Sequence, residues 1–362
     1  DLDGTLCLSD TLHEGLAGIV ARDPFAIAGL LPALRRGKAA FKRAVADRGV
    51  LSGDSLPYRQ DVVDMIRAAR ANGRPVHLVS AADQRQVDAV ATYLDLFDDA
   101  TGTGPGAISG ANLGGSGKAA YLAERFGEGG FDYVGDSSAD IAVWSRARKA
   151  YTVGAAETLR RRAETACKDC THVAPAPRGV ARLRPWLDAA RPHQWSKNLL
   201  VFLPMLAAHD LSGFGAALVA FMAFSLTASS VYLVNDMLDL PADRAHPRKR
   251  LRPFAAGTIP IGKGVVLAAA MVSAALVLSL AFTSPLFVLV LAGYYVTTFA
   301  YSLWLKRKLT VDVLTLATLY TLRIIGGAAA VAVPLSPWML GFSIFIFLAL
   351  AAVKRQAELM DL

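Results

Sequence analysis

The spacing of charged residues divides the chain into two regions. Residues 1–190 mix apolar and charged positions as globular proteins do, whereas long stretches without Asp, Glu, Lys or Arg follow. These stretches are Leu211–Asn235, Gly264–Leu305 and Ile324–Val353. A helix needs about 20 apolar residues to cross a bilayer. The pattern therefore predicts an N-terminal globular region and a C-terminal all-α, multi-pass transmembrane bundle.

Proline-containing turns divide the two longer stretches. Ser284-Pro285 interrupts one of them, and "PLSP" at 334–337 interrupts the other. We therefore predict six membrane segments, at 197–209, 212–235, 264–282, 286–305, 311–333 and 338–353. The first segment is short and contains Pro204, so we expect it to be broken or tilted.

Basic residues are concentrated in alternate loops of the predicted bundle. They occur in 236–263, near 306–310 and at the end of the last segment, whereas the other loops contain no Lys or Arg. By the positive-inside rule, the basic loops and the N-terminal region should face the cytoplasm. No secretory signal peptide is visible. We expect a multi-pass protein of the inner (plasma) membrane.

Composition narrows the classes of partner and cofactor. The chain has 362 residues, a formal net charge of +8 and 54% hydrophobic residues. We expect a membrane rather than a nucleic acid to be the partner, and the oligomeric state stays open. Three cysteines are too few for a disulfide framework. Cys167 and Cys170 form a lone CxxC, which we interpret as reduced thiols rather than a metal site.

The globular region has the pattern of an α/β fold. The runs "PVHLVSAA" (75–82) and "FDYVGDSSAD" (131–140) are short, apolar and end in small polar residues, which is typical of buried parallel strands. The segments 58–72, 84–96 and 117–127 have helical periodicity. Ligands of open α/β sheets bind outside the carboxyl ends of the strands.

Polar residues with phosphoryl-transfer chemistry lie at these predicted strand ends. One aspartate can attack phosphorus, a second can act as general acid and base, and Mg²⁺ with a lysine can neutralise the transferring group. The candidates are Asp1 and Asp3 in "DLDGTL", Ser80, Lys118, Asp136 and Asp140.

These motifs, in this order over about 1–155, resemble the haloacid dehalogenase-like phosphatases. The resemblance implies a Rossmann-like α/β fold with a small helical cap between Asp10 and about Gly53. It implies the following roles: Asp1 is the nucleophile, Asp3 the general acid and base, Ser80 a phosphate ligand and Lys118 its partner. Asp1, Asp3, Asp136 and Asp140 would hold Mg²⁺. We expect the strand that carries Asp1 to precede the printed sequence. A scaffold that has lost its activity is the alternative.

A second acidic pattern, "NDMLDLPADRAHPRKR" (235–250), follows the first long apolar stretch. Asp236, Asp239 and Asp243 fall on one face of a helix. Carboxylates at a membrane edge are costly and usually serve ions or substrates, so this face suggests Mg²⁺ and a diphosphate. Arg244 and Arg252 follow and can bind phosphate oxygens. An ordinary helix end beside an interfacial basic cluster is the alternative.

This stretch resembles the first aspartate-rich motif of the UbiA superfamily of intramembrane prenyltransferases. Asn235, Asp236, Asp239 and Asp243 match NDxxDxxxD. "RPHQWSKN" (191–198), with Lys197 and Asn198, and "YSLWLKRK" (301–308) extend the resemblance. "KRQAEL" (354–359) places Glu358 where an Asp pair is usual. The family has nine membrane helices, so we expect three to be absent from this truncated sequence.

Within this superfamily the sequence looks most like the decaprenyl-phosphate phosphoribosyltransferases. That resemblance implies phosphoribosyl diphosphate as donor, a polyprenyl phosphate as acceptor and Mg²⁺ as cofactor. The residues that could bind the phosphates are Tyr301, Lys306, Arg323, Lys354 and Arg355. Arg323 interrupts an apolar segment, so it either binds an anion or pairs with Asp312. Tyr301 either orients a phosphate or is an interfacial aromatic.

Together these patterns predict three parts and one main function. The parts are a phosphatase-like domain (1–173), a linker (174–190) and a UbiA-type transmembrane domain (191–362). The expected function is transfer of 5-phosphoribose to a polyprenyl phosphate, followed by removal of the 5-phosphate. The first alternative is a prenyltransferase that uses a prenyl diphosphate and an aromatic acceptor. The second alternative is a membrane-anchored phosphatase with a non-catalytic membrane domain.

Overall fold

The chain folds into two compact units. A computed structural model describes residues 1–49, 51–104, 113–174 and 179–360. The first unit consists of Asp1–Pro185 together with Met237–Gly262, and the second consists of Trp186–Asp236 together with Lys263–Leu362. The first unit therefore includes a segment from the predicted transmembrane domain, which was expected to be continuous over 191–362.

The α-helices of the described residues are α1 (Thr11–Arg22), α2 (Leu31–Arg35), α3 (Lys38–Asp47), α4 (Gln60–Ala71), α5 (Gln84–Leu94), α6 (Ser116–Phe126), α7 (Ile141–Trp144), α8 (Glu157–Ala166), α9 (Arg184–Ala190), α10 (Leu203–Ala207), α11 (Phe214–Leu238), α12 (Leu240–Ala245), α13 (Ile261–Phe282), α14 (Pro285–Leu303), α15 (Leu309–Val331) and α16 (Pro337–Met360). Short 3₁₀ helices connect several of them, at Pro24–Leu30, Gly53–Ser55, Ser138–Asp140, Gly179–Arg182, Pro192–Phe202, Leu211–Gly213, Lys249–Leu251 and Leu305–Arg307.

Parallel strands form the centre of the first unit. The strands are β1 (His77–Asp83), β2 (Asp99–Thr103), β3 (Asp132–Gly135), β4 (Lys149–Val153) and β5 (Cys170–Val173). β1 pairs with β2, and β4 lies between β3 and β5. Helices alternate with the strands, as the sequence predicted. The strands form two sheets rather than one, so a single Rossmann-like sheet is not confirmed.

The two sheets are covered by apolar side chains that position the loops at their ends. Leu2, Leu6 and Leu78 are buried in one cluster with residues of α4 and α5. Trp144 is fully buried in a second cluster with residues of α6 and α8. Burial of such side chains contributes roughly 1.5–3 kcal/mol each. The loops that begin at Asp1 and at Asp136 are therefore supported by rigid packing.

The segment between Asp10 and Gly53 is helical, as predicted for the small cap. Asp10 caps α1, because its carboxylate accepts hydrogen bonds from the backbone N–H groups of Leu12 and His13. The insert has an apolar core of its own, in which Ile19, Leu30 and Val45 are buried. This core lets the insert fold as a small helical layer.

Met237–Gly262 is a packed part of the first unit and not an open loop. Leu240, Phe254 and Ile259 are buried. Gly257 has a φ of +70°, and a Cβ placed on it would lie 2.6 Å from the Cβ of Leu8. Only glycine allows the backbone to pass this closely with that φ. The position of this segment was not predicted.

The second unit is helical and apolar. Five of its helical segments are long and apolar enough to cross a membrane within the described residues: Leu211–Leu238, Ile261–Phe282, Pro285–Leu303, Thr310–Val331 and Pro337–Ala357. The predicted count of six is not confirmed. The segment predicted at 197–209 is instead a 3₁₀ helix followed by the short α10, in which Pro204 lies in the first turn. Gly327 of α15 accommodates this segment, since a Cβ there would lie 2.0 Å from the carbonyl oxygen of Val201.

Candidate active sites

The first acidic site is built on the loop that begins the chain. Gly4 has a φ of +76°, and a Cβ on it would lie 2.2 Å from Oδ2 of Asp136. The loop can therefore approach Asp136 only because residue 4 is glycine. Thr5 Oγ1 donates a hydrogen bond of 3.0 Å to Asp136. The backbone N–H of Thr11, at the start of α1, donates to Asp3 at 2.8 Å.

Three carboxylates converge at this site. Oxygens of Asp1, Asp136 and Asp140 lie within 4.8 Å of one another, and no other group of three possible ligands among the described residues meets this distance. Asp140 is fixed by bonds from Ser137 and from the hydroxyl of Tyr133. Carboxylate oxygens are the ligands that Mg²⁺ prefers, so the residues fit the predicted ion. Asp3, predicted as a fourth ligand, is not part of this group.

Lys118 supplies the positive charge at this site. Its Nζ lies 2.8 Å from Oδ2 of Asp1 and donates to the hydroxyl of Tyr133 at 2.8 Å. Burial lowers the pKa of the Lys118 ammonium, and the nearby carboxylates oppose that effect. An ammonium held against the predicted nucleophile is suited to neutralising a phosphoryl group.

Burial also raises the pKa values of two acidic groups, Asp3 and Asp136. The pKa of Asp3 is raised to about 6, mainly by burial and then by the neighbouring charge of Asp10. Burial, followed by the charge of Asp140, raises the pKa of Asp136. A carboxyl group that holds its proton at higher pH than usual is suited to general acid catalysis.

Two residues of this site were not among the candidates. Tyr133 links Lys118 to Asp140, but a buried tyrosine in a strand looks like ordinary core in the sequence. Lys42 belongs to the helical insert, and its Nζ donates to the carbonyl of Ala81 at 2.7 Å, beside Ser80. Ser80 itself is buried, and its Oγ accepts from the N–H of Ala82. Lys42 could have been recognised as a candidate because it belongs to a cluster of basic residues in the insert, namely Arg35, Arg36, Lys38, Lys42 and Arg43.

Both cysteines of the CxxC pack in the apolar cluster around Trp144. Cys167 is buried, with its Sγ near the carbonyl oxygens of Ala147, Arg148 and Asp169. His172 interacts with Thr152 and Glu164.

The second acidic pattern lies at the end of α11 and in α12. In the second unit, Asp236 is buried and accepts from Nη2 of Arg191 at 2.6 Å. Asn235 accepts from Nζ of Lys306 at 3.2 Å. Arg191 begins the quoted "RPHQWSKN" but was not among the candidates. The charge of the buried Asp236 is thus balanced by a cation.

The rest of this pattern lies in the first unit. Asp239 is the N-cap residue of α12. Asp243 is buried and accepts from Nη1 of Arg252 at 2.8 Å. Arg244 bonds to Glu14 and to two backbone carbonyl groups. The carboxylate oxygens suit Mg²⁺, but the metal role of Asp236, Asp239 and Asp243 stays a prediction.

A polar cavity of about 200 Å³ brings four of the predicted phosphate ligands together in the second unit. The Tyr301 hydroxyl donates to Asp312 at 2.7 Å, and Arg355 lies 4.0 Å from the same carboxylate. Three cations against one acid make the cavity attractive to an anion. Its lining residues are Tyr301, Lys306, Asp312, Leu316, Ala351, Lys354 and Arg355. From the sequence, Asp312 was considered only as a partner of Arg323. An acidic residue at the start of an apolar helix is itself an indication of a functional site.

Arg323 is held by polar groups and aromatic rings. Its Nε donates to Asn198 at 2.7 Å and its Nη2 donates to the Tyr294 hydroxyl at 2.8 Å. The guanidinium carbon lies 4.9 Å from the ring centre of Tyr294 and 5.3 Å from that of Tyr320. The alternative pairing with Asp312 is not observed among the described residues. Asn198 therefore helps to position the Arg323 guanidinium through this hydrogen bond.

Lys197 lies in a positively charged part of the second unit. Burial lowers the pKa of its ammonium, and the charges of Lys354, Arg323 and Arg191 lower it further. Like charges gathered in a partly buried region favour an anionic ligand. The side chain of Glu358, the predicted counterpart of the family's second acidic motif, lies outside the described residues.

Comparisons with known proteins match both halves of the chain. Residues 1–145 match the haloacid dehalogenase-like hydrolase model, and residues 199–361 match the UbiA prenyltransferase family model. "Uncharacterized protein y4nM" of Sinorhizobium fredii is 38% identical over 363 residues, which cover 99% of this chain and 69% of that protein.

Two further proteins resemble the membrane half. Decaprenyl-phosphate phosphoribosyltransferase of Mycolicibacterium smegmatis is 42% identical over 180 residues, covering 48% of this chain and 56% of that protein. The chain thus spans little more than half the length of this relative. A solved UbiA homologue from Archaeoglobus fulgidus, bound to DMAPP and Mg²⁺, aligns with a TM-score of 0.39 and 19% identity over 45% of this chain and 60% of that one. A likeness this weak says nothing of the site. From the two family models, the chain carries a haloacid dehalogenase-like hydrolase domain followed by a domain of the UbiA prenyltransferase family.

Proposed function

We propose that the chain transfers 5-phosphoribose from phosphoribosyl diphosphate to a polyprenyl phosphate. The 42% identity to a decaprenyl-phosphate phosphoribosyltransferase over the membrane half carries this proposal. The cavity lined by Tyr301, Lys306, Lys354 and Arg355 supports it, since its cations suit a phosphate. An aromatic acceptor would need few cations, so this cavity favours a phosphorylated acceptor.

In the proposed reaction, the acidic pattern binds the donor and the basic residues bind the acceptor. Asp236, Asp239 and Asp243 would hold Mg²⁺, which when bound stabilises the diphosphate leaving group. Lys306, Lys354 and Arg355 orient the lipid phosphate so that one of its oxygens attacks the anomeric carbon. The bond from that carbon to the diphosphate breaks, and diphosphate leaves with its electron pair. No protein nucleophile is needed.

We propose a second reaction for the hydrolase-like domain, the removal of the 5-phosphate from the lipid product. Asp1 attacks the phosphorus, Asp3 donates a proton to the leaving ribose oxygen, and an aspartyl-phosphate forms. Asp3 then takes a proton from the water that hydrolyses this intermediate. Lys118 neutralises charge on the transferring group. Mg²⁺ held by Asp1, Asp136 and Asp140 would supply further charge neutralisation.

The test of transfer is an assay of membranes that contain the full chain. We expect radiolabel from phosphoribosyl diphosphate to enter the lipid fraction only when polyprenyl phosphate and Mg²⁺ are present. Consumption of a prenyl diphosphate with an aromatic acceptor, and not of phosphoribosyl diphosphate, would establish the prenyltransferase alternative. Turnover of neither donor, beside intact phosphatase activity, would establish the anchored phosphatase.

A further inference from the structure

A buried ion pair joins α1 to α12 inside the first unit. The Glu14 side chain is 4% exposed and that of Arg244 is 12% exposed. Nη2 of Arg244 donates to Glu14 at 2.6 Å, and Nη1 donates to the same carboxylate at 3.1 Å. Two-pronged contacts of this kind are the strong form of an ion pair, and they fix orientation as well as distance.

The guanidinium of Arg244 is used almost completely by these contacts. Besides the two bonds to Glu14, Nη1 donates to the carbonyl of Ser55 at 2.6 Å and Nε donates to that of Ala255 at 2.9 Å. Arginine has five N–H groups, and four hydrogen bonds are made here. Little donor capacity is left for phosphate oxygens, in contrast to the prediction from the sequence.

The Glu14–Arg244 ion pair constrains α12, which begins next to Asp239 and contains Asp243. Asp239 occupies the N-cap position of α12, and Asp243 lies within α12 directly before Arg244. Asp243 pairs with Arg252, and the segment that follows packs against the first unit at Gly257. Removing one partner of a buried ion pair leaves an uncompensated charge, which is far more costly than loss of an exposed pair. Glu14 is therefore a strong constraint on where α12 lies.

We propose that Glu14 and Arg244 are positioning residues, whose ion pair anchors α12 so that Asp239 and Asp243 can bind Mg²⁺ and diphosphate. Asp239 and Asp243 of the acidic motif are then held in place by contacts within the first unit. The catalytic consequence rests on the proposed function, whereas the anchoring of α12 does not.

The test compares Glu14→Gln, Arg244→Gln and their double variant in the full chain in detergent. Hydrogen exchange of peptides within 240–258 reports local opening of the segment. Exchange is measured while Mg²⁺ is titrated in the presence of inorganic diphosphate, which is the probe. Glu157→Gln is the matched control, because it removes an exposed i,i+4 partner of Arg161 from the same unit.

We expect both single variants to exchange faster within 240–258. They should also need about tenfold more Mg²⁺ for half-maximal protection, because α12 would no longer hold Asp239 and Asp243 in place. The double variant should behave like either single variant, because the two changes remove one shared contact. Glu157→Gln should match the wild type. In the transfer assay, the Mg²⁺ requirement should shift by the same factor.

Three results would overturn the proposal. A wild-type response of Glu14→Gln beside a weakened response of Arg244→Gln alone would make Arg244 a direct diphosphate ligand. Equal shifts in Glu157→Gln would indicate general destabilisation. A wild-type segment that gains no protection from Mg²⁺ and diphosphate would remove the metal role. Failure of the transfer assay alone, with the exchange results as expected, would count against the proposed function and not against the anchoring.

Discussion

At the scale of single residues, the carboxylates at the end of α11 give a direct test of the proposed transferase. We expect Asp236→Asn or Asp239→Asn to reduce transfer more than about a hundredfold, since a neutral amide binds Mg²⁺ far less well than a carboxylate. The measurement is turnover of purified protein at saturating Mg²⁺. Asp210→Asn is the control, because Asp210 is exposed and bonds only locally, to the N–H of Ser212. Near-normal turnover of either site variant would end the hypothesis.

Tyr301 can be separated from an ordinary interfacial aromatic by removal of one oxygen atom. Its hydroxyl donates to the buried Asp312 in the polar cavity. We expect Tyr301→Phe to lower kcat/KM for the lipid phosphate about tenfold, because hydrogen bonds to charged groups contribute about 1.5–3 kcal/mol. Tyr295→Phe is the control, since Tyr295 lies on the same helix with its ring tilted against that of Phe299. Equal effects of the two variants would support the interfacial alternative.

The turn at Gly4 is a test at the scale of an element. Gly4 and Gly73 have similar φ values of +76° and +71°, but a Cβ meets Asp136 only at Gly4, whereas the space at Gly73 is open within 4 Å. We expect Gly73→Ala to cost about 1–2 kcal/mol of stability through backbone strain alone. Gly4→Ala should cost more and should also abolish phosphatase activity.

Thermal unfolding and phosphate release by the two glycine variants, measured in the full chain, separate strain from displacement of Asp136. If Gly4→Ala retains the activity of Gly73→Ala, the Asp136 carboxylate does not need its present position. Gly73→Ala is the control for Gly4→Ala, because both residues lie in the first unit.

Elements that follow from a local pattern were predicted well from the sequence, and those that depend on distant contacts were not. The α/β alternation could be recognised because strands and helices have their own periodicities. The helical insert and the phosphatase motifs were implied by the resemblance to a known family. The break in the segment at 197–209 was expected from Pro204, and the structure adds its close packing against Gly327. The place of Met237–Gly262 depends on contacts with Glu14 and Leu8, which leave no signal in neighbouring residues.

At the scale of the whole molecule, loop charges predict how the chain crosses the membrane. We expect Thr258→Cys and Lys308→Cys to react with an impermeant maleimide from the side of the N-terminal domain, and Ser336→Cys only from the other side. All three positions are exposed. Labelling in sealed vesicles of known orientation is the measurement, in a background in which the partly exposed Cys170 is replaced. Labelling of Ser336→Cys from the first side would refute the predicted orientation.

The fusion of two domains predicts a sequence of reactions. The proposed transfer of 5-phosphoribose leaves a lipid product that still carries a phosphomonoester, and the Asp1 site is proposed to remove it. We expect Asp1→Asn in the full chain to accumulate the 5-phosphorylated lipid while transfer continues. Mass spectrometry of the lipid fraction is the measurement, with Asp64→Asn, whose ion pair is exposed, as the control. The same product ratio in wild type and Asp1→Asn would contradict the sequential scheme.

Met237–Gly262 belongs to the first unit, so the place at which the gene is divided affects folding of that unit. Two open reading frames divided near residue 186 would follow the family models, yet the N-terminal product would lack Met237–Gly262 of its own unit, and the C-terminal product would carry that segment without its partners. The N-terminal product would leave Leu8 and Glu14 without their contacts to Gly257 and Arg244. Produced together, the two products should recover activity by complementation, whereas either one alone should aggregate or be degraded. The motifs indicate two separate domains, but we expect the chain to function only when both parts are present.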